Sequence, residues 1–156
     1  MSKIESRLNE IGVELPEAPK PAAAYIPVQQ TGNLVYTSGQ DCKRHGSLVH
    51  EGKLGQNLTI EQGQEAARQT AINCLAVLKA HLGDLDRITK IVKVLSFVNS
   101  GDGFVEQPYV VNGASEFFEE VFGDKGKHAR SAIAANELPF NTPVETEIIV
   151  EIDTSS

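Results

Sequence analysis

The chain has 156 residues, of which 40% are hydrophobic and 22% charged, and this length and composition fit one globular domain. Its 14 lysines and arginines stand against 21 aspartates and glutamates, and this formal net charge of -7 argues against nonspecific binding of nucleic acid. The apolar stretches are too short for a membrane span, the start is too polar for a secretory signal, and two cysteines form no disulfide framework, so we expect a cytoplasmic protein.

The first 22 residues are predicted to be an addition before the main fold. Three apolar residues recur at helical spacing and indicate a short amphipathic helix: Ile4, Leu8 and Ile11. A linker rich in proline and alanine follows. The predicted divisions are therefore an N-terminal helix and linker (1–22), a folded domain (23–152) and a C-terminal tail (153–156).

The folded domain is predicted to begin with a β-hairpin. Two strand-like runs, residues 24–30 and 33–40, are joined at Gly32, which permits a tight reversal of the chain. A polar loop over residues 41–46 and a short strand over residues 47–52 are expected next.

Two long helices are predicted in the middle of the chain. The first follows Thr59, which can cap the amide of Gln62 in a capping box, and it ends at Gly83. Its apolar stripe consists of Ala67, Ala71, Cys74, Leu75, Leu78 and Leu82. The second runs from Gln107 to Phe122 and also ends at a glycine.

Three further strands, over residues 88–99, 129–136 and 144–152, complete an α/β pattern. The strand–helix–strand order favours right-handed crossovers, which place both helices on one face of a mixed β-sheet. Because two helices cover only one side of such a sheet, we expect the other side to pack against further copies of the chain. The pattern therefore predicts a homo-oligomer.

The last strand carries a row of carboxylates. Alternation along a strand places Glu145, Glu147 and Glu151 on the same face. One interpretation is an acidic, solvated surface. The other is that one of these carboxylates faces a cleft, where it orients or deprotonates a water molecule.

Arg130 stands at the head of a strand of small and apolar residues, and it also has two interpretations. In the first interpretation, Arg130 forms a salt bridge at the surface or at an interface. In the second, its planar guanidinium binds a substrate carboxylate. If the last two strands form an antiparallel hairpin, Glu145 lies near residue 136, roughly 20 Å along the strand from Arg130. One subunit could hardly bring both side chains to one small ligand, so a shared site would lie between subunits.

Other candidate motifs carry less information. The residues Asp41, Cys42, His45 and His50 are of metal-ligating types, but their spacing matches no tetrahedral zinc pattern, and a polar loop is the preferred interpretation. The sequence has no phosphate-binding glycine loop and no serine nucleophile elbow. Gly39 could leave a backbone amide open to a ligand.

Three segments, GNLVYTSGQ (32–40), ARSAIAANELP (129–139) and VETEIIVEI (144–152), together resemble signature segments of one known family. This is the RidA/YjgF family of reactive-intermediate deaminases, which act on enamines and imines and are also labelled L-PSP endoribonuclease-like. The resemblance covers residues 23–152. It implies a chorismate-mutase-like fold and a homotrimer whose sheets form a central barrel, with a ligand cleft at each subunit interface.

The resemblance also implies an activity, the hydrolysis of 2-enamine and 2-imine acids such as 2-aminoacrylate to 2-keto acids and ammonia. It implies small 2-imino and 2-keto carboxylates as binding partners, and neither a metal nor an organic cofactor. Two other functions stay open. One is a non-catalytic module that binds small carboxylates, and the other is an endoribonuclease or translation inhibitor, against which the acidic charge argues.

Two catalytic residues are implied by the resemblance. Arg130 matches the arginine that clamps the substrate carboxylate, and Glu145 matches the glutamate that positions the attacking water. Asp102 falls where many members of the family have an asparagine before the second helix. A negative charge there would repel a carboxylate substrate if the side chain faced the pocket.

Four substrate-binding residues are implied in the same way. Tyr25 matches the tyrosine that lines the cleft, and Ser38 and Gly39 match the pair that binds through the backbone. Ala132 stands where some members have a cysteine, and a contribution through its backbone carbonyl would be unaffected by this difference. Pro27 stands where the family commonly has a glutamine, which changes the wall of the cleft next to Tyr25.

Overall fold

The structure is a computed structural model that describes residues 2–20 and 24–154. The predicted boundary between residues 22 and 23 lies outside the described residues, and only the first two residues of the predicted tail are described. Within the described ranges the chain forms three α-helices and seven β-strands.

The helices and strands follow one another in this order: α1 (Lys3–Glu10), β1 (Val28–Thr31), β2 (Leu34–Thr37), β3 (Lys43–Arg44), β4 (Ser47–Leu48), α2 (Ile60–Leu82), β5 (Ile88–Asn99), α3 (Gln107–Phe122), β6 (Ala129–Ala135) and β7 (Val144–Ile152). The predicted hairpin forms from β1 and β2, which pair antiparallel. The polar loop predicted over residues 41–46 contains β3, which pairs with β4 in a separate two-stranded sheet.

Five strands form one mixed sheet in the order β1-β2-β7-β5-β6. The pairs β1–β2, β2–β7 and β7–β5 are antiparallel, and only β6 runs parallel to its neighbour, β5. The parallel pair follows from the crossover through α3, which returns the chain to the same end of the sheet. The sheet thus has β1 and β6 as its two edges.

The last two strands do not form an antiparallel hairpin, because β5 lies between β6 and β7. From β6 the chain passes through a short turn, Pro139–Asn141, and enters the sheet on the far side of β5. In this position both edges of β7 are hydrogen-bonded, one to β2 and the other to β5. A hairpin with β6 would have left one of these pairings unmade.

Helices α2 and α3 pack against each other and cover one face of the sheet. The predicted capping box of α2 is confirmed, since Thr59 Oγ1 accepts from the Gln62 amide at 3.2 Å and Gln62 Oε1 accepts from the Thr59 amide at 2.9 Å. The two helices approach closely at Gly113, where a Cβ atom would lie 2.1 Å from the carbonyl oxygen of Gln64. Glycine is therefore needed at this crossing.

The predicted N-terminal helix is α1, and it joins the same hydrophobic core. Leu8 is buried within that core. The amides of Lys3 and Ile4 both donate to the Asp86 carboxylate at 2.9 Å, in the turn that precedes β5. These bonds satisfy two of the free donors at the start of the helix and fix α1 beside the end of α2.

The opposite face of the sheet keeps a group of partly exposed apolar side chains: Tyr36, Leu95, Phe97, Ile133 and Ile149. Pairing between strands places them on the face that also carries Glu145 and Glu147. In the described part of the chain α1 packs against α3, not on this face. None of the helices in these ranges is at once long and apolar enough to cross a membrane.

Candidate functional site

Four of the six residues implied by the family resemblance line one cleft, whose volume is about 1410 Å³. These residues, called here the cleft half, are Tyr25, Ser38, Gly39 and Glu145. Tyr25 precedes β1, the serine and glycine follow β2, and Glu145 is the second residue of β7. The other two residues, Arg130 and Ala132, do not line this cleft.

Gly39 lies directly against the carboxylate of Glu145. The amides and carbonyls of Gln40 and Thr146 bond each other at 2.8 and 3.0 Å, which pins this segment beside β7. A Cβ atom at Gly39 would lie 2.7 Å from Glu145 Oε2, so a larger residue would displace the carboxylate. Within the described residues no acceptor is bonded to the Gly39 amide, which leaves a donor open next to Glu145.

Ser38 holds the wall of the cleft in place. Its hydroxyl donates to the Ile26 carbonyl at 2.6 Å, and its amide donates to the Pro27 carbonyl at 2.8 Å. Both donors are therefore engaged within the chain, which ties the segment before β1 to the end of β2. Tyr25, in this segment, has 48% of its surface exposed.

Glu145 is half-buried and surrounded by acidic neighbours. Burial, followed by the charges of Asp41 and Glu147, raises the pKa of its carboxyl group above the ordinary value. A carboxylate with a raised pKa is a stronger base than a fully solvated one. The environment of Glu145 therefore suits proton transfer with a water molecule.

Arg130 lies on the other face of the sheet. It pairs with the buried Val94 in the parallel ladder, and its side chain points toward α3. There its Nη1 donates to Asn112 Oδ1 at 2.8 Å and to Ser115 Oγ at 3.2 Å. Among the described residues of this chain Arg130 forms no salt bridge, which was the first of its two interpretations.

The contacts of Arg130 leave one edge of its guanidinium open. The two bonds use both protons of Nη1, and no partner for Nε or Nη2 exists in the described part of the chain. These two nitrogens form the edge that bonds a carboxylate through two parallel hydrogen bonds. Helix α3 therefore holds Arg130 in a geometry that matches a carboxylate ligand.

His128 belongs to the same network. Its Nδ1 lies 2.5 Å from the Gly126 carbonyl, which can only accept, so Nδ1 carries the proton. Its Nε2 lies 2.9 Å from Ser115 Oγ, and in the neutral ring it accepts from that hydroxyl.

Asn112 and Ser115 were not predicted as site residues from the sequence. Two polar residues three positions apart on one helix face were nevertheless a signal for a shared contact.

Ala132 faces the helix side of the sheet close to Arg130. The Ala135 carbonyl accepts from the Ser100 amide, which shows that Ala135 directs its backbone groups toward β5. Because these groups alternate along a parallel strand, the amide and carbonyl of Ala132 point away from β5, at the open edge of the sheet. Arg130 and Ala132 together are called here the arginine half.

One subunit keeps the cleft half and the arginine half apart. Glu145 pairs with Phe97, which pairs with Ile133, so Glu145 is two strands and three residues away from Arg130. This amounts to about 14 Å between backbones, and the two side chains project from opposite faces of the sheet. Within one subunit the strand order and the opposite faces therefore keep the Arg130 and Glu145 side chains apart.

The residues considered as metal ligands are engaged elsewhere. The Cys42 thiol is buried 3.5 Å from Thr142 Oγ1, and the His50 ring lies 2.9 Å from the Glu65 carboxylate. Among the described residues no three side chains of ligating types are grouped so that they could hold a metal ion. Asp102 is exposed in the turn between β5 and α3.

Comparison with protein families identifies one matching model, described as YjgF/chorismate mutase-like, putative endoribonuclease. It matches residues 5–152, a range that includes most of α1. A solved structure of a protein of unknown function from Agrobacterium tumefaciens superposes with a TM-score of 0.91 at 44% identity, covering 97% of this chain and 93% of the other.

Two named relatives are also similar over nearly the whole chain. The protein TCP17 of Trypanosoma cruzi is 40% identical over 152 residues, which cover 97% of this chain and 95% of the relative. A 2-iminobutanoate/2-iminopropanoate deaminase of Dermatophagoides farinae is 30% identical over 146 residues, which cover 90% and 95% of the two chains.

Proposed function

The chain belongs to the YjgF/chorismate mutase-like family, and we propose that it hydrolyses reactive 2-enamine and 2-imine acids to 2-keto acids and ammonia. The observation that carries this proposal is the open guanidinium edge of Arg130, held by α3 in a geometry that matches a carboxylate. The similarity to a 2-iminobutanoate/2-iminopropanoate deaminase supports the same chemistry.

Arg130 would bind the carboxylate that every 2-imino acid carries next to its electrophilic carbon. Two parallel hydrogen bonds fix both the position and the rotation of this group. The imine carbon is then held at a defined place for attack, which removes most of the orientational entropy from the barrier. The backbone of Ala132, two residues along β6 from Arg130, would line the same site.

Glu145 would supply the water. As water adds to the C=N bond of the protonated imine, the carboxylate takes one proton from it and the carbon becomes a tetrahedral carbinolamine. The carboxyl group returns that proton to the nitrogen, and as the C–N bond breaks the carbinolamine hydroxyl gives its own proton to the carboxylate, which releases ammonia and leaves the 2-keto acid. The Gly39 amide, which has no acceptor among the described residues, would donate to an oxygen beside Glu145.

The site would be assembled from two copies of the chain in a homotrimer. The uncovered sheet face with its apolar side chains supports such an assembly, since burying it removes apolar surface from water. The open edge of β6 offers unpaired backbone groups to a neighbour as well. In this arrangement Arg130 of one subunit faces Glu145 of the next.

We also propose a cytoplasmic location for the protein. Its two cysteines are buried and form no disulfide, which is compatible with a reducing compartment.

Turnover of an imine generated in place tests the proposal. An amino-acid oxidase forms the imine from alanine or 2-aminobutyrate, and semicarbazide traps what is not hydrolysed. We expect the protein to lower the amount of semicarbazone and to raise the rate of 2-keto acid release. Binding of pyruvate or 2-oxobutyrate in calorimetry without any turnover would instead support a carboxylate-binding module.

Replacing Asp41 with asparagine is expected to extend activity to lower pH. The Asp41 charge helps to raise the pKa of Glu145, and activity is lost as the pH falls through that pKa because the protonated carboxyl cannot accept a proton. Without this charge the pKa is lower, so the ionised form persists further into acid. The measurement is kcat/KM against pH for both proteins.

The control for Asp41 is Glu151→Gln on the same face of β7. Glu151 is bonded by the Thr89 hydroxyl at 2.8 Å, and its charge is not among those that raise the pKa of Glu145. Its replacement is expected to leave the acid limb of the profile unchanged. An unchanged acid limb in Asp41→Asn, or a shift to higher pH, would contradict the role given to Glu145.

An endoribonuclease is less compatible with this cleft. The carboxylates that line it outnumber the lysines and arginines, and they are Glu14, Glu17, Asp41, Glu65, Glu145 and Glu147. Phosphodiester backbones are attracted by the opposite charge. RNA degradation that purifies with the protein and disappears in Arg130→Ala would be the result that favours this activity.

A further inference from the structure

The connection between β6 and β7 holds an aromatic residue in an uncommon backbone conformation. Phe140 has a φ angle of 59° and Asn141 one of 63°, so two successive residues other than glycine occupy the left-handed region. Asparagine tolerates this region, but a bulky aromatic residue rarely adopts it. A conformation of this kind persists only where its surroundings enforce it.

The surroundings of Phe140 do enforce it. The Asn99 side chain, fully buried at the end of β5, donates from Nδ2 to Asn141 Oδ1 at 3.0 Å. The Asn141 carbonyl accepts from the Gly52 amide at 3.0 Å, and the Asn141 amide donates to the Leu138 carbonyl at 3.0 Å. Buried and backbone groups of three segments therefore lock the turn.

The locked turn presents the Phe140 ring to solvent at the cleft that holds Glu145. The ring has 67% of its surface exposed, although it is one of the larger apolar side chains of the protein. Lys43 Nζ lies 4.8 Å from the ring centroid and 3.8 Å from the Asp41 carboxylate, whose charge acts on Glu145. Two contacts thus connect the ring to Asp41, whose charge in turn acts on Glu145, the carboxylate proposed to activate water.

We propose that Phe140 is a specificity-determining residue that packs against the side chain of the substrate and favours 2-imino acids with large apolar or aromatic side chains. The inference rests on the proposed function and names its substrate class. The backbone that carries the ring is locked, Lys43 lies over the ring, and most of the ring is open to solvent, so an apolar group that enters the cleft gains contact area there. An apolar substrate side chain supplies that group.

The test compares two imines, one derived from phenylalanine and one from alanine, in the wild-type protein and in Phe140→Asn. Asparagine removes the ring and still tolerates the left-handed backbone, so the fold is expected to survive. We expect kcat/KM for the phenylalanine-derived imine to fall about tenfold, carried by KM, and that for the alanine-derived imine to change less than about twofold. Phe140→Leu keeps an apolar side chain, so its kcat/KM for the phenylalanine-derived imine is expected to lie between those of the wild-type protein and Phe140→Asn.

Tyr109→Ala is the matched control, because Tyr109 is also an exposed aromatic residue but lies on α3 and does not line the cleft. This replacement is expected to leave kcat/KM for both imines unchanged. If kcat/KM falls equally for both imines in Phe140→Asn, with or without a changed oligomeric state, the inference is overturned. It is also overturned if kcat/KM falls for neither imine. Failure of the wild-type protein to hydrolyse either imine would instead contradict the proposed function.

Discussion

Arg130→Ala is expected to lower kcat/KM for imine hydrolysis by about 100-fold or more while the subunit remains folded. The guanidinium is the group that would orient the substrate, and its open edge has no substitute among the described residues of the cleft half. Removing the guanidinium leaves Asn112 and Ser115 without one partner each, which lowers the free energy of unfolding by about 1 kcal/mol per bond. This loss is too small to unfold the subunit. Keto acid release and thermal unfolding measure the two effects separately.

Two further variants sharpen the Arg130 experiment. Arg130→Lys keeps the charge but offers a single ammonium in place of two parallel N–H donors, so it is expected to recover little of the activity. Arg87→Ala removes an arginine that contacts Asp153 at 3.7 Å, outside the cleft, and is expected to be fully active. Wild-type turnover in Arg130→Ala would refute the proposed mechanism.

Mixing two inactive variants is expected to restore activity if the halves of the site come from different subunits. Arg130→Ala keeps an intact cleft half, and Glu145→Gln keeps an intact arginine half. In a cyclic oligomer with random exchange of equal amounts, about a quarter of the interfaces join the two intact halves. Activity should therefore rise from near zero to about a quarter of the wild-type value.

The mixture needs subunit exchange, which a cycle of mild denaturation and refolding provides. The control is Arg130→Ala refolded with the double variant Arg130→Ala/Glu145→Gln, in which no interface can contain the arginine, so no recovery is expected. A mixture of the two single variants that stays inactive, although mixed oligomers are demonstrated by mass, would exclude a site shared between subunits.

Much of the local structure could be predicted from the chain alone. The helix over residues 107–122 and the strands over residues 88–99 and 144–152 occur as predicted, and the capping box at Thr59 is present in both of its hydrogen bonds. These features depend on residues a few positions apart. Their periodicity and capping therefore appear in the sequence itself.

The turn at Phe140 shows where such reasoning stops. The residues leading from β6 to β7 contain a Leu-Pro pair, which predicts a turn, but no local pattern predicts two left-handed residues. That conformation depends on the buried Asn99 and on Gly52, which are far away along the chain. Asn112 and Ser115 were missed for a similar reason, because their contact with Arg130 requires α3 to cross β6.

The sequence by itself determined the elements, the uncovered sheet face and the segments that carry the family resemblance, because these depend on residue types and on short-range spacing. Only the tertiary structure decided that β5 separates the last two strands and that Arg130 and Glu145 project from opposite faces. Strand order depends on which pairing satisfies both edges of β7 and buries its apolar face beneath the helices. That choice involves residues distant along the chain, so it is made by the whole fold and not by any one segment.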